Sequence, residues 1–459
     1  MSGLVRHAGS FRDPAGFLYR QDGGLFRHIN ASGLADFDRF ERSGLAAELL
    51  AEKKLVPYRT VRADRTGKVL ELEELPFVTY PYEWSFRQLR DAALLTLELA
   101  RRGLEHGLML KDASAFNVAF RDGRPIFLDH TSFMICRENT PWPAYRQFVM
   151  HFLAPLLVMK YTDMRCLGLL RENLGGISPD FAGRLLPRRT WFSFTALAHV
   201  HLHAVMERKY SSQEGDVRQV GMKPERLRDF LRALADETTA LKPPVQRTDW
   251  EAYYRRNSYS DAAFAAKQEA VRKFCAAHPG GVTVDLGANT GVFSEIAAEH
   301  SETVIAADID PQSVEMLYET ARTHCPKLQP VLQDLANPSP AVGVFNAECA
   351  PFLARCKGDK VLGLALIHHL RITGNWDLER IVRLFAGTAP HALVEFVPAD
   401  DVQVKRLVRG RDAIYADWNA EQVEAAFRAE YPVLDRIALP DSGRILFAMH
   451  KAPPTGTAK

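Results

Sequence analysis

The chain has 459 residues, 47% of them apolar and 25% charged, with a net charge of +2. Such a length exceeds one ordinary domain, and the near-neutral globular composition argues against a nucleic-acid or polyanion partner. Six cysteines (Cys136, Cys166, Cys275, Cys325, Cys349 and Cys356) form no C-x-x-C and no dense framework, which excludes a disulfide scaffold or cysteine zinc site and points to a reducing, cytoplasmic setting. No signal-like apolar core opens the chain. The most apolar stretch, residues 149–159, is interrupted by His151 and Pro155 and is too short to span a membrane.

In chain order, residues 17–29 read as a hairpin turning on Asp22-Gly23-Gly24. Residues 111–117 read Lys-Asp-Ala-Ser-Ala-Phe-Asn, and a short hairpin at 121–124 leads into Pro125-Ile126-Phe127-Leu128-Asp129. Asp112 and Asn117 thus stand at D-x-x-x-x-N spacing with a second acid, Asp129, after the next strand. That pattern resembles the catalytic loop of protein kinases. The resemblance implies an α+β kinase-like domain over residues 1–210, with a small lobe to about residue 80, a hinge at 77–80, and a helical lobe over 81–210 opened by a helix at 89–103. It would give Asp112 the role of base and Asn117 and Asp129 a metal, so that Mg²⁺ and ATP become the expected cofactors of an active site there. The chain departs from the pattern in three places: no G-x-G-x-x-G, no V-A-I-K lysine (Arg27 lies nearest), and Asp129-His130-Thr131 for D-F-G. Beside it stands a plainer reading, in which Asp112 and Asn117 hold a loop together through side-chain to backbone hydrogen bonds.

Residues 211–249 turn polar around one amphipathic helix (Leu227, Phe230, Leu231, Leu234) and read as an interdomain linker. A helix follows within residues 250–277, with Ser260-Asp261 at its N-cap and Ala262, Ala266, Ala270 and Phe274 on an apolar stripe. Tyr253, Tyr254 and Tyr259 are candidate lid residues or aromatic core.

Residues 284–291 read Val-Asp-Leu-Gly-Ala-Asn-Thr-Gly, a strand running into a glycine turn and a helix N-terminus, where bare backbone N–H groups can approach a nucleotide-like ligand. The spacing D-x-G-x-x-x-G is not that of a dinucleotide fingerprint. Asp308 and Asp310 close the next apolar run, and Asp334 closes the one after, so three strand ends carry carboxylates. The segment resembles class I S-adenosylmethionine-dependent methyltransferases. By that resemblance Asp285, Gly287 and Gly291 shape the turn beside the methionine moiety, Asp308 accepts the ribose hydroxyls, Asp334 faces the adenine amine, and Asn289 and Asp310 are further cofactor-binding candidates. Asn289 replaces a glycine but tolerates left-handed geometry.

Further strands are expected at residues 361–367, 392–396, 433–439 and 444–450, separated by helical patterns. The result is a doubly wound, mainly parallel α/β sheet with a reversed last strand, because residues 440–443 are too few for a helical crossover. His368 and His369 end the fourth strand, where an acceptor should lie, and suit a general base. Glu395 ends the fifth as a further catalytic candidate, with Asp400 and Asp401 behind it as acceptor ligands or helix caps.

Tyr80-Pro81-Tyr82-Glu83-Trp84-Ser85-Phe86, Leu110-Lys111-Asp112-Ala113-Ser114, Pro141-Trp142-Pro143-Ala144-Tyr145-Arg146-Gln147-Phe148 and Ala365-Leu366-Ile367-His368-His369-Leu370 together resemble a bacterial family of two-part methyltransferases that includes host-specificity nodulation proteins. The resemblance implies methyl transfer by residues 250–459 from S-adenosylmethionine to an unidentified acceptor, a small molecule in preference, bound or presented by the kinase-like domain. Two alternatives stand: a bifunctional enzyme with an active small-molecule kinase, and a non-catalytic binding module. The number of subunits is left open.

Overall fold

The computed structural model describes residues 4–137, 139–210, 221–244, 259–409, 415 and 418–452. Tyr253 and Tyr254 lie outside the described residues. The chain forms two compact units, Met1–Val245 with Ala341–Cys349, and Gln246–Pro340 with Ala350–Lys459.

The first unit begins with a five-stranded antiparallel sheet of order β1-β2-β3-β5-β4. Its strands are β1 (Val5–Arg6), β2 (Gly16–Gln21), β3 (Gly24–Asn30), β4 (Tyr58–Asp64) and β5 (Gly67–Leu72). The β2–β3 turn puts Asp22 at φ 48° and Gly23 at φ 82°, the twin left-handed geometry that suits the twist of a two-residue hairpin. Helices Ala31–Arg42 and Leu45–Ala51 separate β3 from β4. Helix Phe86–Glu105 follows, opened by a reciprocal capping box between Ser85 and Gln88. Beyond it lie two short ladders, β6 (Leu108–Leu110) with β9 (Phe133–Ile135), and β7 (Val118–Arg121) with β8 (Arg124–Phe127). Two boundaries differ from those expected. The helix assigned to the linker, Pro224–Thr239, packs on Phe86–Glu105 and buries Leu227, Leu231 and Leu234, so its apolar face makes it part of the first unit. Residues 341–349 also belong to that unit, where Arg12 grips Glu348 through two hydrogen bonds of 2.7 and 3.1 Å.

The second unit holds a seven-stranded sheet of order β12-β11-β10-β13-β14-β16-β15. Strands β10 (Val282–Leu286), β11 (Thr303–Asp308), β12 (Leu328–Leu332), β13 (Lys360–Gly363) and β14 (His391–Phe396) run parallel. β16 (Ile445–His450) runs antiparallel to both β14 and β15 (Val433–Ala438), so the last strand alone is reversed, as the short connection requires. The central strands are buried along their length, which explains why they read as continuous apolar runs rather than alternating ones. β13 ends at Gly363 instead of residue 367, since Ala365 turns into the left-handed region at φ 53°.

Helix Asp261–Ala277 is capped by Ser260, whose Oγ accepts from Ala263 N–H at 3.1 Å. Its buried stripe is Ala263, Lys267, Ala270, Val271 and Phe274, one position round from the alanine stripe expected, with a lysine inside it. Among the described residues no helix is long and apolar enough to cross a membrane, and all six cysteines are free.

Candidate functional site

β10 delivers the chain into a turn made of left-handed positions: Gly287 at φ 77°, Asn289 at φ 49° and Gly291 at φ 95°. A side chain at Gly291 would need to stand 2.6 Å from Leu317 Cδ2, and one at Gly287 would stand 3.3 Å from Leu366 Cδ1. Both positions therefore call for glycine on conformational and steric grounds. Asparagine serves at the third, its Oδ1 accepting Thr290 N–H at 2.8 Å. Helix Val292–Ala298 starts at once, so its first N–H groups face the turn.

Two carboxylates brace this turn from beneath. Asp285, buried in β10, accepts from Ser294 Oγ at 2.6 Å and so ties the strand to the helix. Asp308, at the end of β11, accepts from Asn289 N–H at 2.7 Å and from Asp310 N–H at 2.8 Å. Burial raises each to about 6, against the opposing pull of Ser294 on Asp285 and of main-chain N–H groups on Asp308. Ile309 N–H also favours the charged form of Asp308, and the carboxylate as a whole, with about four lone-pair sites, retains capacity for a further donor. Asp310 is committed elsewhere: its carboxylate caps helix Pro311–Thr323 through Ser313 N–H and Ser313 Oγ, 3.3 and 3.0 Å away. Asp334 is half-buried just past β12 and accepts from Ala336 N–H at 2.8 Å through one oxygen.

His368 and His369 follow β13, their rings 4.2 Å apart. His368 is 1% exposed, and both of its ring nitrogens are buried without a hydrogen-bond partner in the described structure. Burial, then His369, Arg444 and Lys267, hold it far below the ordinary histidine range, and burial alone takes His369 to about 4. Both rings are therefore neutral at physiological pH. They can orient a donor, but they are weaker bases than the free-histidine value of about 6.5 suggested.

Glu395 is not a free base. Lys267 Nζ sits 2.7 Å from Oε2, Arg444 Nη1 lies 3.1 Å from Oε1, and Tyr259 donates its hydroxyl to Oε1. Despite burial, Lys267 and Arg444 keep this carboxyl below its usual range. Arg444 reaches on to Asp401 at 2.8 Å, so Asp401 is an ion-pair partner. Tyr259 lies under the Arg444 guanidinium, 4.1 Å from its ring centre, and is core rather than lid. Lys267 and Arg444 were missed in the sequence. A lysine on the apolar stripe of a helix was the available signal, since a buried ammonium demands a buried carboxylate.

In the first unit Asp112 accepts from Ser114 N–H at 3.0 Å, the loop-holding bond of the plainer reading. Burial and then the nearby Asp129 raise its carboxyl. Asn117 Nδ2 reaches Ser132 Oγ at 3.5 Å. Asp129 is occupied by protein: Arg27 Nη1 and Ser132 Oγ donate to it, and Thr131 Oγ1 donates at 2.9 Å. A guanidinium thus fills the position at which the kinase resemblance called for a metal. His130 packs edge-on to Tyr58, with Nε2 2.9 Å from Val56 O.

Over 97% of its length the chain is 33% identical to nodulation protein NoeA of Rhizobium meliloti strain 1021, matching 96% of that protein. The chain belongs to the NoeA family. No family model matches it. Among solved structures, the NoeA-family chain is similar to the N-methyltransferase NodS of Bradyrhizobium japonicum WM9 in complex with S-adenosyl-L-homocysteine: 14% identity, 44% of this chain, 98% of NodS, TM-score 0.30. It is likewise similar to the magnesium protoporphyrin IX methyltransferase ChlM of Synechocystis PCC 6803: 15% identity, 44% of this chain, 93% of ChlM, TM-score 0.30. Likenesses that loose carry no argument about chemistry.

Proposed function

We propose that the second unit binds S-adenosylmethionine on the turn between β10 and helix Val292–Ala298 and transfers its methyl group to a small-molecule acceptor. One observation carries the reading: a main-chain turn of three left-handed residues is hydrogen-bonded to a strand-end carboxylate, Asp308, that retains acceptor capacity. Gly287 and Gly291 keep the floor bare, Asp308 receives the ribose hydroxyls, and Asp334 receives the adenine amine. The acceptor lies towards His368, whose two unpartnered nitrogens supply a hydrogen bond that orients its nucleophilic atom. Methyl transfer is an in-line displacement, so orientation and dryness matter more than proton removal, which fits two neutral imidazoles better than a strong base. Kinship with a nodulation protein supports a methylated product that serves nodulation.

For the first unit, the Arg27–Asp129 pair supports a kinase-like scaffold that binds or presents the acceptor without transferring phosphate.

Calorimetric titration of the full chain tests the cofactor site. Asp308→Ala is expected to weaken S-adenosylmethionine by about 1–3 kcal/mol, the range for hydrogen bonds to a charged group. Unchanged affinity in that variant removes Asp308 from the site, and no heat from the wild type removes the proposal.

The cofactor carries a sulfonium, which favours ionised carboxylates. Asp285, beside Ser294, Lys267 and Asp308, and Asp308, beside Asp310, are both raised to about 6. Binding therefore lowers their pKa and releases protons below about pH 6. Affinity is expected to rise with pH through this window, by up to about tenfold per unit for each proton released, and then to level off. The demethylated product has no sulfonium, so its affinity should be flatter over the same range. Equal slopes for the two ligands would refute the carboxylate–sulfonium pairing.

A further inference from the structure

Three histidines of the second unit converge at the sheet edge opposite the glycine turn. His391 opens β14 and His450 ends β16; the two are directly opposed on the antiparallel ladder, so their side chains share a face. His278 follows helix Asp261–Ala277 and stacks on His391 with ring centres 3.9 Å apart. His391 Nδ1 and His450 Nδ1 are 2.9 Å apart, and one nitrogen from each of the three rings lies within 4.8 Å of the others.

The geometry points to a divalent metal site of zinc type held by His278, His391 and His450, with the fourth position open to water. Imidazole nitrogens suit zinc, cobalt or nickel, and three histidines plus an open position is a recurrent zinc arrangement. Bond lengths of about 2.0–2.1 Å set tetrahedral N···N edges of about 3.4 Å. The His391–His450 pair already lies near that edge, and rotation of the His278 ring closes the third. The backbone supports the set: Lys360 Nζ binds the carbonyls of His278 and Gly280 at 2.5 and 2.7 Å, fixing the residue that carries the third ligand. All three rings are half-buried, which leaves an entry path. A hollow of about 560 Å³ beside the cluster is lined by His278 and His450 together with Glu269, Lys273 and Asp435. Burial and mutual repulsion, with Lys360 adding to it, take His278 to about 4. His391 is lowered by burial and His450, with Asp359 opposing. A cation entering here must outweigh the nearby Lys360 charge. The site would staple the C-terminus of the covering helix to the reversed strand, apart from the glycine turn.

The test uses the tag-free full chain, stripped with a chelator, and zinc or cobalt(II) alone as the probe. One equivalent of cobalt(II) is expected to give visible ligand-field bands, and zinc is expected to raise the melting temperature. His278→Gln and His391→Ala should each weaken metal affinity at least about tenfold, while His300→Ala, outside the cluster, should not. Should His391→Ala fail to fold, His278→Gln and the wild-type cobalt stoichiometry decide the matter. Absent bands with no zinc shift, or affinity equal to wild type in His278→Gln, would overturn the site. Because Asp308→Ala should keep full zinc affinity, failure of the cofactor reading and failure of this one are separable.

Discussion

Glu395→Ala is expected to destabilise the second unit by about 3–5 kcal/mol, the cost of stranding buried charges whose partner has gone. Glu395 and Lys267 are 0% and 3% exposed at the side chain, and Arg444 is 2% exposed. Two cations and two anions, Glu395 and Asp401, balance in this cluster, and Tyr259 bonds to three of the four. With Glu395 gone, Arg444 keeps Asp401, while the Lys267 ammonium loses its ion-pair partner and keeps the Tyr259 hydroxyl at 2.9 Å, the faces of Tyr259 and Phe293, and a charge interaction with the buried Asp285. A scanning calorimeter should then show the transition of the second unit lowered by on the order of 10 °C, with that of the first unit unmoved. Glu395→Gln should cost less because an acceptor remains. Glu395→Leu combined with Lys267→Met should recover much of the loss, since deleting a buried pair together leaves no orphan charge. A fall below about 1 kcal/mol in Glu395→Ala would mean that water reaches the cluster. The pH sign follows from the depressed carboxyl of Glu395: its contribution is complete above the unfolded carboxylate range of about 4.3 and is lost as pH falls through the lower folded value.

This cluster also marks where sequence reasoning runs out. The glycine turn was legible because a left-handed backbone restricts residue type, and Gly287, Asn289 and Gly291 all take the geometry their identities allow. The reversed last strand was legible because residues 440–443 are too few for a helical crossover. Glu395 looked catalytic because it ends a strand, yet its partners Lys267 and Arg444 lie 128 residues before and 49 residues after it, and no local pattern pairs charges at such separations. The same holds for Asp310, which looked like a ligand and caps a helix. Its capping signal, an acid before Pro311 and Ser313, was present but outranked by the strand-end pattern. The histidine cluster was invisible for a similar reason, since residues 278, 391 and 450 meet only through the β14–β16 ladder and the helix laid over it.

In the first unit, Arg27→Ala is expected to cost about 3–5 kcal/mol, again by isolating a buried charge. Arg27 and Asp129 are 8% and 12% exposed at the side chain. Asp129 is held below the usual carboxylate range by Arg27 first, then Ser132 and Thr131, against the penalty of burial. Without Arg27 it should protonate or seek another cation, and Asp112 beside it repels a second negative charge. Arg27→Met with Asp129→Asn should restore much of the stability, because the pair is then removed together. The same arrangement sets the test of the phosphotransfer reading. A metal at Asp129 must displace a guanidinium that is always charged, so wild type should show no melting shift with Mg²⁺ and ATP. In Arg27→Ala the Asp129 carboxylate loses its cation while Asp112 remains beside it, and Mg²⁺ should stabilise that variant measurably more than wild type. A wild-type shift that disappears in Asp129→Ala would reverse this conclusion, for it would mean that the nucleotide's metal competes successfully with Arg27 and that the site transfers phosphate.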